Sequence, residues 1–229
     1  MYKESKMKHV WITGASRGIG YETVQAFLEA GHIVVVMTRN TEALSELAVK
    51  YDNRLHLSKV DLLNLSSVAL PDFPVDILIN NAGALVNKPF ESITQEDLQK
   101  VYGTNVFGPI QIMQKLLPQF SPQAHIVNIS SVGGVTGSVK FPGLSAYSSS
   151  KGAMTILTEC LQAEFGDKSD WAFNCLALGA VQTEMLEEAF PGYQAPVHTE
   201  DMAAYIMSFA MNNSRVMRGR VVEVALSTP

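Results

Sequence analysis

Tyr147 and Lys151 stand four residues apart in Tyr147-Ser148-Ser149-Ser150-Lys151, which opens a stretch that reads as helix. That spacing puts phenol and ammonium on one helix face. A phenol of ordinary pKa, ~10, relays protons poorly at neutral pH, but a nearby cation favours phenolate and lowers the value. A tyrosine tuned in this way can give a proton to a carbonyl oxygen and recover it in the reverse direction. Ser131 ends the strand-like run that starts at His125, and is placed to hydrogen-bond the same oxygen as negative charge grows on it. Ser130 is the alternative, because adjacent strand residues point to opposite faces. A lone Tyr-xxx-Lys pair is an ordinary helix pair; the strand ending Asn128-Ile129-Ser130-Ser131 and a glycine-rich turn upstream are what give it meaning.

That turn is Thr13-Gly14-Ala15-Ser16-Arg17-Gly18-Ile19-Gly20, between a first strand and a first helix. Glycines let the backbone turn sharply and approach a pyrophosphate, whose charge is favoured by free N–H groups at a helix start. A tight turn with no ligand is the plainer reading, and placement in a βαβ unit favours phosphate binding. The same octet holds Gly14-Ala15-Ser16-Arg17-Gly18, which fits the G-x-S-x-G elbow of a serine hydrolase. A hydrolase needs an acid and then a histidine downstream, and the late His198 is followed, not preceded, by Glu200 and Asp201.

Val- and Ile-rich runs occur at 9–13, 33–37, 54–60, 75–80, 125–130, 172–177 and 221–226, and read as strands. Helix-like segments fall at about 18–30, 41–51, 94–118, 146–166 and 199–212, with starts at Thr94 and Thr199 and stops at Gly31 and Gly166. Strands apolar throughout, alternating with helices, predict a parallel sheet covered on both faces: a doubly wound α/β fold in one domain over 1–229. Ligands of such sheets bind beyond the carboxyl ends of the strands, where strand order reverses. In a dinucleotide fold, an acid after the second strand binds the ribose of NAD, whereas arginine accommodates the extra phosphate of NADP. Here that strand ends Met37-Thr38-Arg39-Asn40, without a carboxylate, so Arg39 and Arg17 predict NADP(H).

The formal charge of -5 argues against a nucleic-acid surface. No apolar run approaches the ~20 residues that span a bilayer, and the amino end lacks a secretory signal, so a cytoplasmic protein is expected. Cys160 and Cys175 have no CxxC spacing and are expected to be buried thiols; the five histidines are scattered, so no metal site is assigned.

With these motifs in order, the chain resembles the short-chain dehydrogenase/reductase family over nearly its whole length. Asp61-Leu62 after the third strand, Asn80-Asn81-Ala82-Gly83 after the fourth, and Asn105 in the following helix extend the match. The resemblance implies strand order 3-2-1-4-5-6-7 and hydride transfer between nicotinamide and a carbonyl or alcohol carbon. It makes Tyr147 the acid/base, with Lys151 binding the nicotinamide ribose and lowering the tyrosine pKa. Ser131 holds the substrate oxygen, and Asn105 helps position a water beside Lys151. Gly14, Ser16, Arg17, Gly18, Ile19 and Gly20 would cradle the phosphates, Asp61 and Leu62 contact adenine, and Asn81, Ala82 and Gly83 pack by the ribose. Relatives pair through their long helices as homodimers or homotetramers. A sensor that holds NADPH without turnover is the other reading, disfavoured by an intact proton relay.

The chain departs from the family in three places. Leu178-Gly179 replaces the usual Pro-Gly, which leaves the loop carrying Gly179, Val181 and Thr183, by the nicotinamide amide, with more freedom. The segment between Ser131 and Tyr147 is longer than usual, and the carboxyl end lacks Asp-Gly-Gly. Substrate-facing stretches are expected at 135–144 and 184–198, where Phe141, Leu144, Met185, Leu186, Phe190 and Tyr193 suit a moderately apolar carbonyl or alcohol.

Overall fold

The computed structural model describes residues 6–66 and 68–227. Residues 1–5 and 228–229, parts of the two chain ends read above, lie outside the described residues. Seven strands form one parallel sheet in the order β3-β2-β1-β4-β5-β6-β7, the order that the resemblance implied. They are β1 (His9–Thr13), β2 (Ile33–Thr38), β3 (Leu55–Lys59), β4 (Val75–Asn80), β5 (Phe120–Ser131), β6 (Ala172–Leu178) and β7 (Arg220–Val224).

The helices are α1 (Gly18–Glu29), α2 (Ser45–Tyr51), α3 (Gln95–Tyr102), α4 (Gly108–Leu116), α5 (Ser145–Phe165), α6 (Glu184–Ala189) and α7 (Thr199–Asn212). Alternate residues of the central strands feed two separate cores, because successive side chains point to opposite faces. Val10, Ile12, Val34 and Val36 pack with Phe27 and Leu28 of α1 and Ile206 and Phe209 of α7. Trp11, Val35, Met37 and Leu78 pack on the other face with Ile112 and Leu116 of α4. Strands buried on both faces are therefore apolar without alternation, and the carboxyl ends of β1, β4 and β5 are left to carry polar residues.

Three local readings change. The helix expected over 94–118 is interrupted by a π-helical turn at Gly103–Phe107, between α3 and α4. Gly166 does follow the end of α5, but at φ −59, so it is not a left-handed stop of the kind seen at Gly31, φ +86. Cys175 is buried as expected, but Cys160 is exposed, since it falls on the outer face of α5.

Candidate active site

The glycine turn is held against the start of the β4 loop. Asn81 Nδ2 donates to the carbonyls of Thr13 (3.2 Å) and Gly14 (2.9 Å), and Thr13 Oγ1 accepts from the amides of Asn81 and Ala82 at 3.1 and 3.0 Å. Gly14 sits at φ +69, and a Cβ there would lie 2.5 Å from Ala82 Cα. Gly20 is a packing glycine, since its Cβ would meet Gly14 O at 2.4 Å. The start of α1 has no side-chain cap, so its first N–H groups are available to an anion.

Above this turn lies a groove of about 270 Å³. Gly14, Ser16, Arg17, Gly18, Ile19, Arg39, Asp61, Leu62, Asn81, Ala82, Gly83 and Thr183 all line it, which brings together residues from five loops that the sequence assigned to one dinucleotide, and Met185, expected at the substrate, lines it as well. Val60, Thr104 and Glu184 line it too and were not foreseen. Glu184 ion-pairs with Arg17 across the mouth, joining α6 to the glycine turn. Asp61 also has the plain turn role, accepting the Leu63 amide at 3.1 Å. These features fit a dinucleotide: an uncapped helix start for phosphates, crowded glycines beneath, and a cation beyond β2.

A second cavity of about 170 Å³ adjoins the groove. Ser131, Leu144, Tyr147, Lys151, Gly179, Val181 and Met185 line it. Ser131 is the serine that faces inward, and its hydroxyl is within hydrogen-bonding reach of the Tyr147 phenol. Ser130 is directed instead at α5, donating to Lys151 O at 2.8 Å. Phe141, Leu186 and Phe190 join the wall as expected, whereas Tyr193 lines neither cavity and bonds Ser227 through its hydroxyl at 3.1 Å. No histidine lines either cavity, so Ser16 has no base beside it for hydrolytic chemistry.

The position of Tyr147 depends on how α5 sits on the sheet. Asn80 Nδ2 donates to Asn128 Oδ1 (2.8 Å), Asn128 Nδ2 to Thr158 Oγ1 (2.9 Å), and Thr158 Oγ1 to Met154 O (2.8 Å). This buried chain runs from β4 through β5 to α5, and Asn80 Oδ1 in it has no hydrogen-bond partner. Asn128 and Thr158 were missed in the sequence, where nothing marks a buried amide as a positioning group.

Asn105 lies in the π-helical turn and clamps the β4 loop: Oδ1 accepts from Ala84 N at 2.7 Å, and Nδ2 donates to Ala84 O and Ser150 Oγ, both at 2.9 Å. It lines neither cavity, but Asn105 Oδ1, Lys151 Nζ and Met185 Cε converge within 3.6–3.8 Å of the point where a side chain on Gly83 would begin. Such a turn widens the helix and is often found at functional sites.

The electrostatics depart from the sequence reading. Burial raises the Tyr147 phenol above its usual value, with the Ser131 hydrogen bond pulling the other way. Lys151 is buried, and loss of hydration lowers it to about 8. Its Nζ donates to Ile129 O at 2.9 Å and stands 5.9 Å from the centroid of the phenol ring. The expected acidification of the phenol by its neighbour is therefore outweighed by desolvation. The loop after β6 also differs from expectation: Leu178 is a buried strand residue, and the amides of Gly179 and Ala180 bond Val224 O (2.9 Å) and Ser227 O (3.2 Å), so this segment is pinned without proline. Thr183 Oγ1 accepts from Leu186 N at 3.1 Å and so caps α6.

The short chain dehydrogenase profile matches residues 8–194. An uncharacterized oxidoreductase of Mycobacterium tuberculosis is 32% identical over 223 residues, covering 90% of this chain and 64% of its own length. Carbonyl reductase (NADPH) 2 of Sus scrofa is 37% identical over 161 residues, 68% of this chain and 64% of that protein. The matched regions thus fall short of two thirds of either relative's length. Among solved structures, 4-hydroxyisoleucine dehydrogenase complexed with NADH superposes with a TM-score of 0.83 at 25% identity, over 95% of this chain and 97% of that one.

Proposed function

The chain belongs to the short-chain dehydrogenase family, and on that premise we propose that it is an NADP(H)-dependent oxidoreductase that interconverts a small, moderately apolar carbonyl compound and its alcohol. One observation carries the reading: the hydroxyls of Tyr147 and Ser131 meet in a mostly apolar cavity, with Lys151 in its lining, beside the groove shaped for a dinucleotide.

When bound, the nicotinamide supplies or accepts the hydride. The uncapped start of α1 and the Gly14 to Gly20 turn would hold the phosphates, Asp61 and Leu62 would border the adenine, Asn81 to Gly83 the ribose, and Gly179, Val181 and Thr183 the amide. Arg39, which lines the groove, would face the 2′-phosphate; support for NADP comes from this cation and from the absence of a carboxylate at 37–40.

In reduction, Tyr147 gives its proton to the carbonyl oxygen while Ser131 donates a hydrogen bond to that oxygen. Lys151 lies beneath and favours the negative phenolate that is left. A phenol whose pKa is raised by burial is fully protonated at neutral pH, the form that reduction requires. Oxidation requires the phenolate, so the oxidative rate rises as the solution becomes alkaline. Asn105 acts through position, by fixing Ala84 and Ser150 around Lys151.

The site and the groove share one sheet, as in a single domain over 1–229. Exposed Phe107 and Ile156, on the α4 and α5 side, favour a homodimer or homotetramer, which sedimentation tests. Two cysteines without a disulfide suit a reducing cytoplasm, and among the described residues no helix is long and apolar enough to cross a membrane.

The direct test is Tyr147→Phe. NADPH binding, followed by fluorescence, is expected to persist while turnover falls by about 10²-fold to 10⁴-fold. Unimpaired turnover refutes the assignment. Loss of turnover in a protein that still binds NADPH also separates this reading from a turnover-free sensor, because a sensor has no rate to lose.

A further inference from the structure

The wall of the second cavity that faces away from the groove belongs to neither main core. Leu85, Leu144 and Ala189 form a third apolar cluster with Phe141, Tyr147, Met185 and Phe190 packed against them. It is thus built around the reactive phenol and is open to a cavity, where the two main clusters close on the sheet.

Two of its members are brought together from distant segments. Phe141 comes from the extended β5–α5 segment, and Phe190 follows α6; their ring centroids are 5.0 Å apart at 76°, edge to face. The arrangement is held from outside. Ser138 Oγ donates to Val135 O at 2.9 Å, and Lys140 Nζ donates to Val135 O, Ser138 O and Ser138 Oγ at 2.8, 3.0 and 2.6 Å, so the long segment is internally clipped. Adjacent residues of the β4 loop then tie down both walls: Lys88 N donates to Gly143 O at 3.0 Å, and Asn87 Nδ2 donates to Ala189 O at 3.0 Å. Gly143 is needed at this junction, since its φ is +84 and a Cβ would lie 2.1 Å from Asn87 Oδ1.

Charge is arranged against anions. Lys151 is the one charged residue in the cavity lining. The lysines on the bordering segments are engaged, Lys140 by the bonds just given and Lys88 by Asp97 at 2.7 Å, while Arg17 pairs with Glu184. The short helix α6 adds Glu184, Glu187 and Glu188. Beyond Lys151, which is buried and bonded to Ile129 O, a substrate carboxylate or phosphate would find no cation in the cavity lining, and burying an unpaired charge is costly. A sugar-like substrate meets few polar partners beyond Ser131, Tyr147 and Ser148, and its other hydroxyls would lose hydration without replacement.

We propose that Phe141 and Phe190 form an aromatic clamp that selects neutral ketones and aldehydes bearing an aryl group, placing their carbonyl against Tyr147 and Ser131. The inference rests on the oxidoreductase reading above and names the substrate class of that site. An aryl ring between Phe141, Phe190 and the Met185 thioether completes the edge-to-face contacts that the pair begins, and sulfur also favours aromatic neighbours.

The experiment follows NADPH consumption by the full chain with phenylacetone, phenylpyruvate, butanone and dihydroxyacetone, and with the reactive dicarbonyl phenanthrenequinone as a general acceptor. Phenylacetone and phenylpyruvate carry the same ring with and without a carboxylate. Phenylacetone is expected to exceed both phenylpyruvate and dihydroxyacetone by about tenfold or more in kcat/KM. Phe141→Leu and Phe190→Leu keep the wall apolar and should lower kcat/KM for phenylacetone by about 2-fold to 13-fold each, chiefly through KM. Butanone should lose clearly less than phenylacetone in either variant. Preference for phenylpyruvate or dihydroxyacetone, or equal losses for phenylacetone and butanone in the leucine variants, overturns the clamp while leaving the oxidoreductase reading intact. Bound NADPH with no consumption on any carbonyl, phenanthrenequinone included, overturns that reading and the clamp with it.

Discussion

Replacing Lys151 with methionine should abolish turnover and, at the same time, remove a load on the fold. Lys151 is 4% exposed, and loss of hydration lowers its pKa from 10.5 to about 8. At 1.36 kcal/mol per pKa unit, the folded state carries a penalty of about 3 kcal/mol when this ammonium is protonated. The sign follows from proton binding. Below about pH 8 both folded and unfolded chains hold the proton, and the penalty is complete; between about 8 and 10.5 the unfolded chain holds a proton that the folded one has released, so stability rises with pH. Methionine has similar length and no charge, but it gives up the hydrogen bond to Ile129 O, whose loss costs about 1 to 3 kcal/mol if nothing replaces it. The two effects nearly cancel at pH 7, where the variant should be equal to the native protein or more stable by up to about 2 kcal/mol. The pH dependence does not cancel. Urea unfolding at steps from pH 7 to 10 should show the native protein gaining up to about 3 kcal/mol relative to the variant, with the gain concentrated above pH 8. Cys175, the group electrostatically coupled to Lys151, is raised by burial to about 11 and stays a thiol through most of that range. Parallel stability curves for the two proteins would refute the argument, because they would mean that the ammonium is not desolvated by folding.

Two further outcomes bear on the groove. Arg39→Ala should lower kcat/KM for NADPH by about 10-fold to 150-fold, the value of a hydrogen bond to a charged group, and leave NADH nearly unaffected. Arg17→Ala should cost less, because its guanidinium must first leave Glu184, in an exposed pair worth about 1 kcal/mol or less; an unchanged NADPH/NADH ratio in the Arg39 variant argues against NADP preference. Gly14→Ala should weaken cofactor binding and lower the melting temperature, since it combines φ +69 with a Cβ 2.5 Å from Ala82 Cα. Calorimetry showing both properties unaltered would mean that the turn can relax at little cost.

Much of the frame was legible because buried parallel strands have few sequence solutions. β1 and β4 begin and end where the Val and Ile runs do, and Thr94 with Asp97 forms the reciprocal capping pair that its spacing suggested. β5 begins five residues earlier than its apolar run, at Phe120, because Phe120 pairs with Val75 ahead of a register shift, and Ser121, Pro122 and Gln123 fall in that shift, where no periodicity marks a strand. α6 is six residues long, too short for a helical period, although Thr183 at its start and Glu184 and Glu187 in its first turn carried a capping signal. The π-helical turn has no sequence signature of its own. It arises where Gly103 and Gly108 let the helix approach Leu63 and Leu62, as side chains at these positions would lie 2.4 and 2.7 Å from those leucines.

The residues that were easy to name and those that were missed do different physical work. Tyr147, Lys151, Ser131 and the glycines have chemistry that their side chains, or lack of them, announce. Asn128 and Thr158 announce nothing, yet with Asn80 they form the buried hydrogen-bonded chain that joins β4 and β5 to α5. Asn128 and Thr158 are fully buried, and amide and hydroxyl groups in such a place stabilise only if paired. A shift of α5 along the sheet would break these bonds together and leave several polar groups without partners, so the helix has one strongly preferred position. Lys151 and Tyr147 sit about two and three turns before Thr158 on that helix, and inherit its placement. The reactive phenol is thereby located by bonds made far from any substrate, and the desolvated Lys151 can be tolerated beneath it because the helix that carries it is held to the sheet by groups that take no part in the chemistry.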